Sequence, residues 1–169
     1  NYNQWVWMKG SNTVNDFTGN YGTLGVASLT NSPPARYEPC EWTDQQGNFW
    51  MFGGYEMTIG GAYNDLWKYN PSTNMWTWIH GDNSTNNFGD YGVMGVASSS
   101  NKPPFKKYGS ATWVDSNNNL WMFGGDLFYN DLWKYDITNN MWTWVRGSNM
   151  SMQYGNYGSL GVSSPAKVT

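Results

Sequence analysis

The chain has 169 residues, 12% of them charged, and a formal net charge of −3. That balance is no electrostatic footprint for nucleic acid or an anionic membrane surface, and no apolar run is long enough to span a bilayer as a helix. One cysteine, Cys40, excludes an intrachain disulfide and any cysteine-based zinc cluster.

Twelve Trp and twelve Tyr supply a large core despite the many Asn, Ser and Gly, so the chain is not disordered. Asn1 is not a natural start and no signal peptide is visible, so the sequence reads as a mature or excerpted piece. Residues 1–8 contain Asn3-Gln-Trp5-Val-Trp7, which aligns with Asn74-Met-Trp76-Thr-Trp78 and Asn140-Met-Trp142-Thr-Trp144. The expectation is the last strand of a unit whose earlier strands are absent. An insert follows over 9–35, with Asn20-Tyr-Gly-Thr-Leu-Gly-Val-Ala-Ser28 and Pro33-Pro34. Similar inserts occupy 79–105, with Tyr91 and Pro103-Pro104, and 145–169, with Tyr157. A disordered linker has no need of one Tyr and two Gly at fixed spacing. Each insert is therefore expected to be an ordered loop, its Tyr packed on a sheet and its glycines in special backbone conformations.

Two full units fill 36–78 and 106–144. In Trp121-Met122-Phe123, Trp and Phe share a face, and in Asp131-Leu132-Trp133-Lys134-Tyr135, Leu132 and Lys134 oppose Trp133 and Tyr135. Strict alternation of aromatic and β-branched residues predicts half-buried strands. Gly53-Gly54 and Gly124-Gly125 close the second strand of each unit, and Asn70-Pro-Ser-Thr-Asn74 and Asp136-Ile-Thr-Asn-Asn140 are turn clusters. Trp7 to Trp78 spans 71 residues and Trp78 to Trp144 spans 66. The difference lies mainly after the Gly pair, where Tyr55 to Ala62 is replaced by Asp126, Leu127 and Phe128. Such length variation marks an exposed loop.

The Gly pair, followed by a Tyr seven positions before a Trp (Tyr69 and Trp76, Tyr135 and Trp142), resembles a kelch repeat, one blade of a β-propeller. The likeness covers both strand-rich blocks, and the long inserts are similar to those of galactose-oxidase-like propellers. The resemblance implies an all-β fold of four-stranded antiparallel blades, as a partial ring of two whole blades plus one extra strand. Since propellers usually close with four to eight blades, it also implies an excerpt of a larger ring, a ring built from several copies, or an open stack.

No reaction is written in these residues. A galactose-oxidase-like copper site would need two His, two Tyr and a crosslinked Cys, and His80 is the one histidine. Asp115-Ser-Asn117-Asn-Asn119, like Asp44-Gln-Gln-Gly47, has a spacing that brushes against calcium loops, but Leu120 stands where an EF-hand needs Gly and a strand follows, so a hairpin turn is expected. Thr43 to Trp50 is one residue too long for a sialidase-type Asp box, and Arg36 and Arg146 are the only arginines. A single histidine supports no Ser-His-Asp set, and Glu38, Glu41, Glu56 and Asp126 read as a solvated rim rather than a glycosidase pair. Asn83-Ser-Thr85 and Asn149-Met-Ser151 are N-glycosylation acceptors by pattern.

The reading is a protein that is not an enzyme and uses no metal or cofactor. It presents aromatic-rich loops to a protein or carbohydrate partner through Tyr55, Glu56, Met57, Asp126, Phe128, Phe17, Phe88 and Tyr154. An alternative is a self-assembling structural protein whose copies complete one another, with Trp5 and Trp7 as the edge. A third is part of a galactose-oxidase-like or glycan-active enzyme with its catalytic residues elsewhere. The low charge and the Asn, Gly, Ser and Thr content suit an extracellular or cell-surface setting, with neither nucleic acid nor membrane insertion expected.

Overall fold

The computed structural model describes residues 3–13, 17–125, 128–155 and 157–162. It is all-β. The first sheet contains β1 (Cys40–Thr43), β2 (Phe49–Phe52), β5 (Leu66–Asn70) and β6 (Met75–His80), in that spatial order and antiparallel throughout. The second contains β7 (Ala111–Val114), β8 (Leu120–Phe123), β9 (Leu132–Asp136) and β10 (Met141–Arg146), likewise a meander. Both fourth strands run two residues past the expected boundaries at Trp78 and Trp144, to His80 and Arg146. A two-stranded hairpin, β3 (Tyr55–Glu56) and β4 (Gly61–Ala62), stands between β2 and β5 where the sequence suggested only a loop.

Local chemistry sets the meander. Asp44 Oδ1 accepts from the amides of Gln46 and Asn48, and its Oδ2 accepts from the Trp50 indole at 2.8 Å. One carboxylate thus closes the β1–β2 turn and pins the first aromatic of the next strand. Asp115 does the same in the second sheet for Asn117, Asn119 and the Trp121 indole. After the third strand, Asn74 and Asn140 take positive φ (54° and 55°), and their side chains accept the hydroxyls of Tyr69 and Tyr135. Asn tolerates this left-handed conformation better than most residues do.

The two sheets pack face to face. Cys40, Trp42, Trp50 and Phe52 from the first meet Leu120, Met122, Trp133, Tyr135 and Trp142 from the second. Phe52 is edge-on to Trp142 at 5.5 Å, Trp50 tilts against Tyr135 at 5.8 Å, and the Trp42 indole donates to the Trp121 carbonyl at 2.8 Å. Burying one such aromatic is worth roughly 1.5–3 kcal/mol, so this seam dominates the hydrophobic contribution. Gly53 is required at its edge: its φ is +68°, and a Cβ there would lie 2.8 Å from the Lys106 carbonyl.

The first and second inserts each fold back on the sheet that follows them in sequence. The Tyr21 ring sits 5.0 Å from both Trp67 and Trp78, and its hydroxyl donates to Asp65 Oδ2 at 2.6 Å. Tyr91 repeats this against Trp133, Trp144 and Asp131. Gly25 and Ser28 donate backbone hydrogen bonds to Trp78 and Trp76, as Gly95 and Ser98 do to Trp144 and Trp142, so these two inserts cover the outer edges of the fourth strands. Gly22 and Gly92 hold φ of +60°, with Asn31 Oδ1 and Asn101 Oδ1 where a Cβ would stand.

The segment at Trp5 and Trp7 differs from its expectation. Residues 3–8 lie in no strand, and Trp5 is 101% exposed. Among the described residues no strand pairs with it. It nevertheless keeps a fourth-strand signature. The Trp7 indole donates to the carbonyl two residues on, as the indoles of Trp78 and Trp144 do.

Candidate recognition face

The β3–β4 hairpin projects from the first sheet and is braced from two sides. Glu56 accepts from the amides of Thr58 and Ile59 at 2.6 and 2.8 Å, closing the turn. Its burial pushes the carboxyl up, but the hydrogen bonds from Thr58 and Ile59 outweigh this and hold it below its ordinary range. Asn86 donates its amide to Ala62 O at 2.7 Å and accepts the Ala62 amide on Oδ1 at 3.0 Å, so the second insert clamps β4. On the other side, Tyr37 and Tyr55 exchange backbone hydrogen bonds at 3.1 and 3.0 Å, and their rings meet edge-on at 5.5 Å.

Between hairpin and insert lies a shallow cleft of about 250 Å³, lined by Phe17, Ala35, Arg36, Tyr37, Tyr55, Glu56 and Met57. It brings together four of the residues singled out from sequence: Phe17, Tyr55, Glu56 and Met57. Met57 and Ile59 stand 74% and 70% exposed at the tip of the hairpin. Arg36 lines the cleft with its guanidinium already engaged, forming a two-armed pair with Asp65. Lys107 Nζ lies 5.3 Å from the Tyr55 ring and 5.9 Å from Phe105, and Phe105 in turn packs on Phe88 at 5.5 Å. Phe88 thus connects to Tyr55 only through Phe105 and Lys107 and does not line the cleft.

The remaining candidates sit elsewhere. Phe128 and Tyr154 are 75% and 96% exposed beside the second sheet, where the Met152 amide donates to the Phe128 carbonyl. Asp126 lies outside the described residues. Glu56 is 2% exposed and its carboxylate serves the turn, so it is the internal cap of the hairpin rather than a group available to a ligand. Asn83 and Asn149 are both exposed. Sequence reading missed Tyr37 and Lys107. Tyr37 reaches Tyr55 through a strand-like bridge across 18 positions, and neither carries a repeat signature that would mark it.

The groups weighed for chemistry are occupied by structure. His80 Nδ1 accepts the Gly81 amide at 2.9 Å and Nε2 donates to Ser99 O at 3.1 Å, which fixes a neutral imidazole, and burial pushes its pKa down. The carboxylates of Asp44 and Asp115 are saturated by their turns. Burial pushes the Cys40 thiol up to about 11, which holds it as a thiol rather than a nucleophilic thiolate. Among the described residues no three His, Cys, Asp or Glu side chains converge as metal ligands, and no helix is long and apolar enough to cross a membrane.

No family model matches the chain, and no curated protein matches it.

Proposed function

We propose that this chain is a non-catalytic recognition module of kelch-like blades that presents an aromatic cleft to a partner. The observation that carries this is the braced hairpin. Tyr55 and Met57 are held against Phe17 and Tyr37 by backbone pairing on one side and by Asn86 on the other. Exposed aromatic and methionine side chains on a rigid support are what a binding face needs. Their apolar area is available, and the ordering entropy is spent during folding rather than binding. The chemistry of the face is weakly charged and aromatic, which suits a neutral sugar stacked on Tyr55 or an apolar peptide side chain.

The experiment is a methyl-NMR titration of Met57 with a panel of neutral oligosaccharides and a displayed peptide library. Ligands should shift Met57 and lose binding in Tyr55→Ala, which also gives up the edge-on contact with Tyr37, and in Met57→Ala, whose side chain is 74% exposed and whose loss should leave the thermal midpoint within a degree or so. Binders that leave Met57 unmoved, or panels with no binder, would overturn the proposal.

A further inference from the structure

The two sheets are repeats, yet equivalent residues differ sharply in exposure. Trp42 and Phe52 of the first sheet are 5% and 0% exposed because they press into the second. Their counterparts in the second sheet, Trp113 and Phe123, are 43% and 44% exposed. The reverse holds on the receiving side. Leu120 is 0% exposed under the first sheet, and its counterpart Phe49 is 49% exposed. The molecule therefore contains one formed example of a sheet-to-sheet seam, and among the described residues both halves of that seam recur uncovered at opposite ends.

The uncovered socket is well formed. On the outer side of the first sheet lies a hollow of about 490 Å³, lined by Phe49, Met51 and Trp76 among others. The equivalent floor in the second sheet is Leu120, Met122 and Trp142, and there Phe52 and Trp42 fill it, with Phe52 edge-on to Trp142 and the Trp42 indole on the Trp121 carbonyl. From this we infer that a second copy of the chain docks here. The exposed face of its second sheet covers the exposed face of this chain's first sheet, head to tail. Phe123 of one copy takes the place of Phe52 against Trp76, and the indole of Trp113 takes the place of Trp42 against the carbonyl of Trp50. This surface is separate from the recognition cleft. It also gives copy-to-copy association a broad face rather than the strand edge at Trp5 and Trp7.

Several polar links of the internal seam have no counterpart in the docked pair: Asn118, which accepts the Gln45 amide and donates to Gln46 Oε1, is replaced by Gly47, and two side-chain links are lost as well. Gln45 reaches Asp115 O and Ser116 O, and Thr112 Oγ1 donates to Glu41 O. The residues in their places are Ser116, which is too short, and Glu41, which has no donor. The contact between copies is consequently weaker than the seam within one chain, and association depends on concentration. Because the two faces differ, the contact is heterologous and propagates into a ring or a filament unless one face is blocked.

The test is light scattering of the 169-residue chain from micromolar concentration upward, with Phe123→Glu and Phe49→Glu as variants that each block one face. Both side chains are nearly half exposed, so far-UV circular dichroism and melting should match the parent chain. The parent mass should rise with concentration, and each variant alone should stay at the 19.2 kDa of one chain. An equimolar mixture of the two variants should form a discrete pair at twice that mass, since each retains the face the other lacks. A parent chain that stays monomeric, as it would if further repeats were the natural cover, overturns the inference. So does a mixture that fails to pair, or a single variant that still self-associates.

Discussion

The two sheets bury the same arrangement of charge around different cations. In the first, Asp65 holds both arms of the Arg36 guanidinium, the Trp67 indole and the Tyr21 hydroxyl. In the second, Asp131 holds Lys106 Nζ at 2.7 Å, the Trp133 indole and the Tyr91 hydroxyl. Tyr63 lies under Arg36 at 4.0 Å and Tyr129 under Lys106 at 4.8 Å. All four charged side chains are at most 2% exposed. Arg36 also donates to the carbonyls of Pro34 and Gly53. A planar fork satisfies several acceptors at once, whereas an ammonium is a compact point charge on a flexible stem. The comparison teaches that the buried carboxylate is the fixed part of the repeat. It collects the insert Tyr, the third-strand Trp and whichever cation follows the Pro-Pro step.

Removing that carboxylate should give the largest effect. Asp65→Ala strands a guanidinium that cannot neutralise itself, and the loss should reach roughly 3–5 kcal/mol. Asp131→Ala strands Lys106, a single point charge that loses one contact rather than a two-armed pair, so its cost should fall nearer the lower end of that range. Urea midpoints for the pair measure the gap, and equal losses would mean that the identity of the cation is immaterial. Next in size is Arg36→Lys. It gives up the second arm and the two carbonyl contacts, and should cost about 1–2 kcal/mol. A neutral result would show that the first network works as a point-charge pair like the second.

Part of this was legible in the sequence. Tyr21 and Tyr91, each with two glycines at fixed spacing, announced an ordered insert, and the alternation in Asp131-Leu-Trp-Lys-Tyr135 announced a strand. The acceptor for those Tyr hydroxyls was not legible, because Asp65 and Asp131 lie 44 and 40 residues from Tyr21 and Tyr91 and nothing in the strand alternation marks them as acceptors. Nor were the cations. Arg36 and Lys106 differ in type and lie 29 and 25 residues from their carboxylates, so no local pattern links them. At the recognition face, Phe17, Tyr55 and Met57 were identified individually, but their convergence depends on the Tyr37–Tyr55 bridge, a tertiary contact. Glu56 was misjudged as a ligand group because a carboxylate in a loop looks solvated until the turn around it is known. The strand at Trp5 and Trp7 was legible as a local pattern only, since a strand forms when a neighbour supplies its hydrogen bonds.

The inserts allow a finer comparison. Tyr21 and Tyr91 are packed between two indoles, and burial followed by the neighbouring Asp raises both phenols above their ordinary range, keeping them as proton donors. Tyr157 occupies the same place in the third insert and is 89% exposed. Tyr21→Phe and Tyr91→Phe each delete a hydrogen bond to a buried carboxylate while leaving the ring, at an expected cost of about 1–2 kcal/mol. Tyr157→Phe should fall within about 0.5 kcal/mol of the parent chain. A cost for Tyr157→Phe equal to the others would mean that this tyrosine is engaged in solution.

The smallest effect concerns the paired turns at Asp44 and Asp115. Burial pushes both carboxyls up, but the bonds from Trp50 and Asn48, and from Asn119 and Trp121, prevail and lower them, Asp115 to about 2. A carboxyl whose folded pKa lies below its unfolded value of about 4 binds fewer protons when folded. Its stabilising contribution is therefore complete above about pH 4 and disappears as the pH falls toward 2. Because the Asp115 turn faces solvent, its contribution should stay at or below about 1 kcal/mol. Thermal melts between pH 5 and pH 2 should show a slope that Asp115→Asn reduces, since Asn keeps the turn acceptor but does not titrate. An unchanged slope in that variant would place the acid sensitivity at the other carboxyls that the fold holds below their ordinary range, Asp44, Glu56, Asp82 and Asp136.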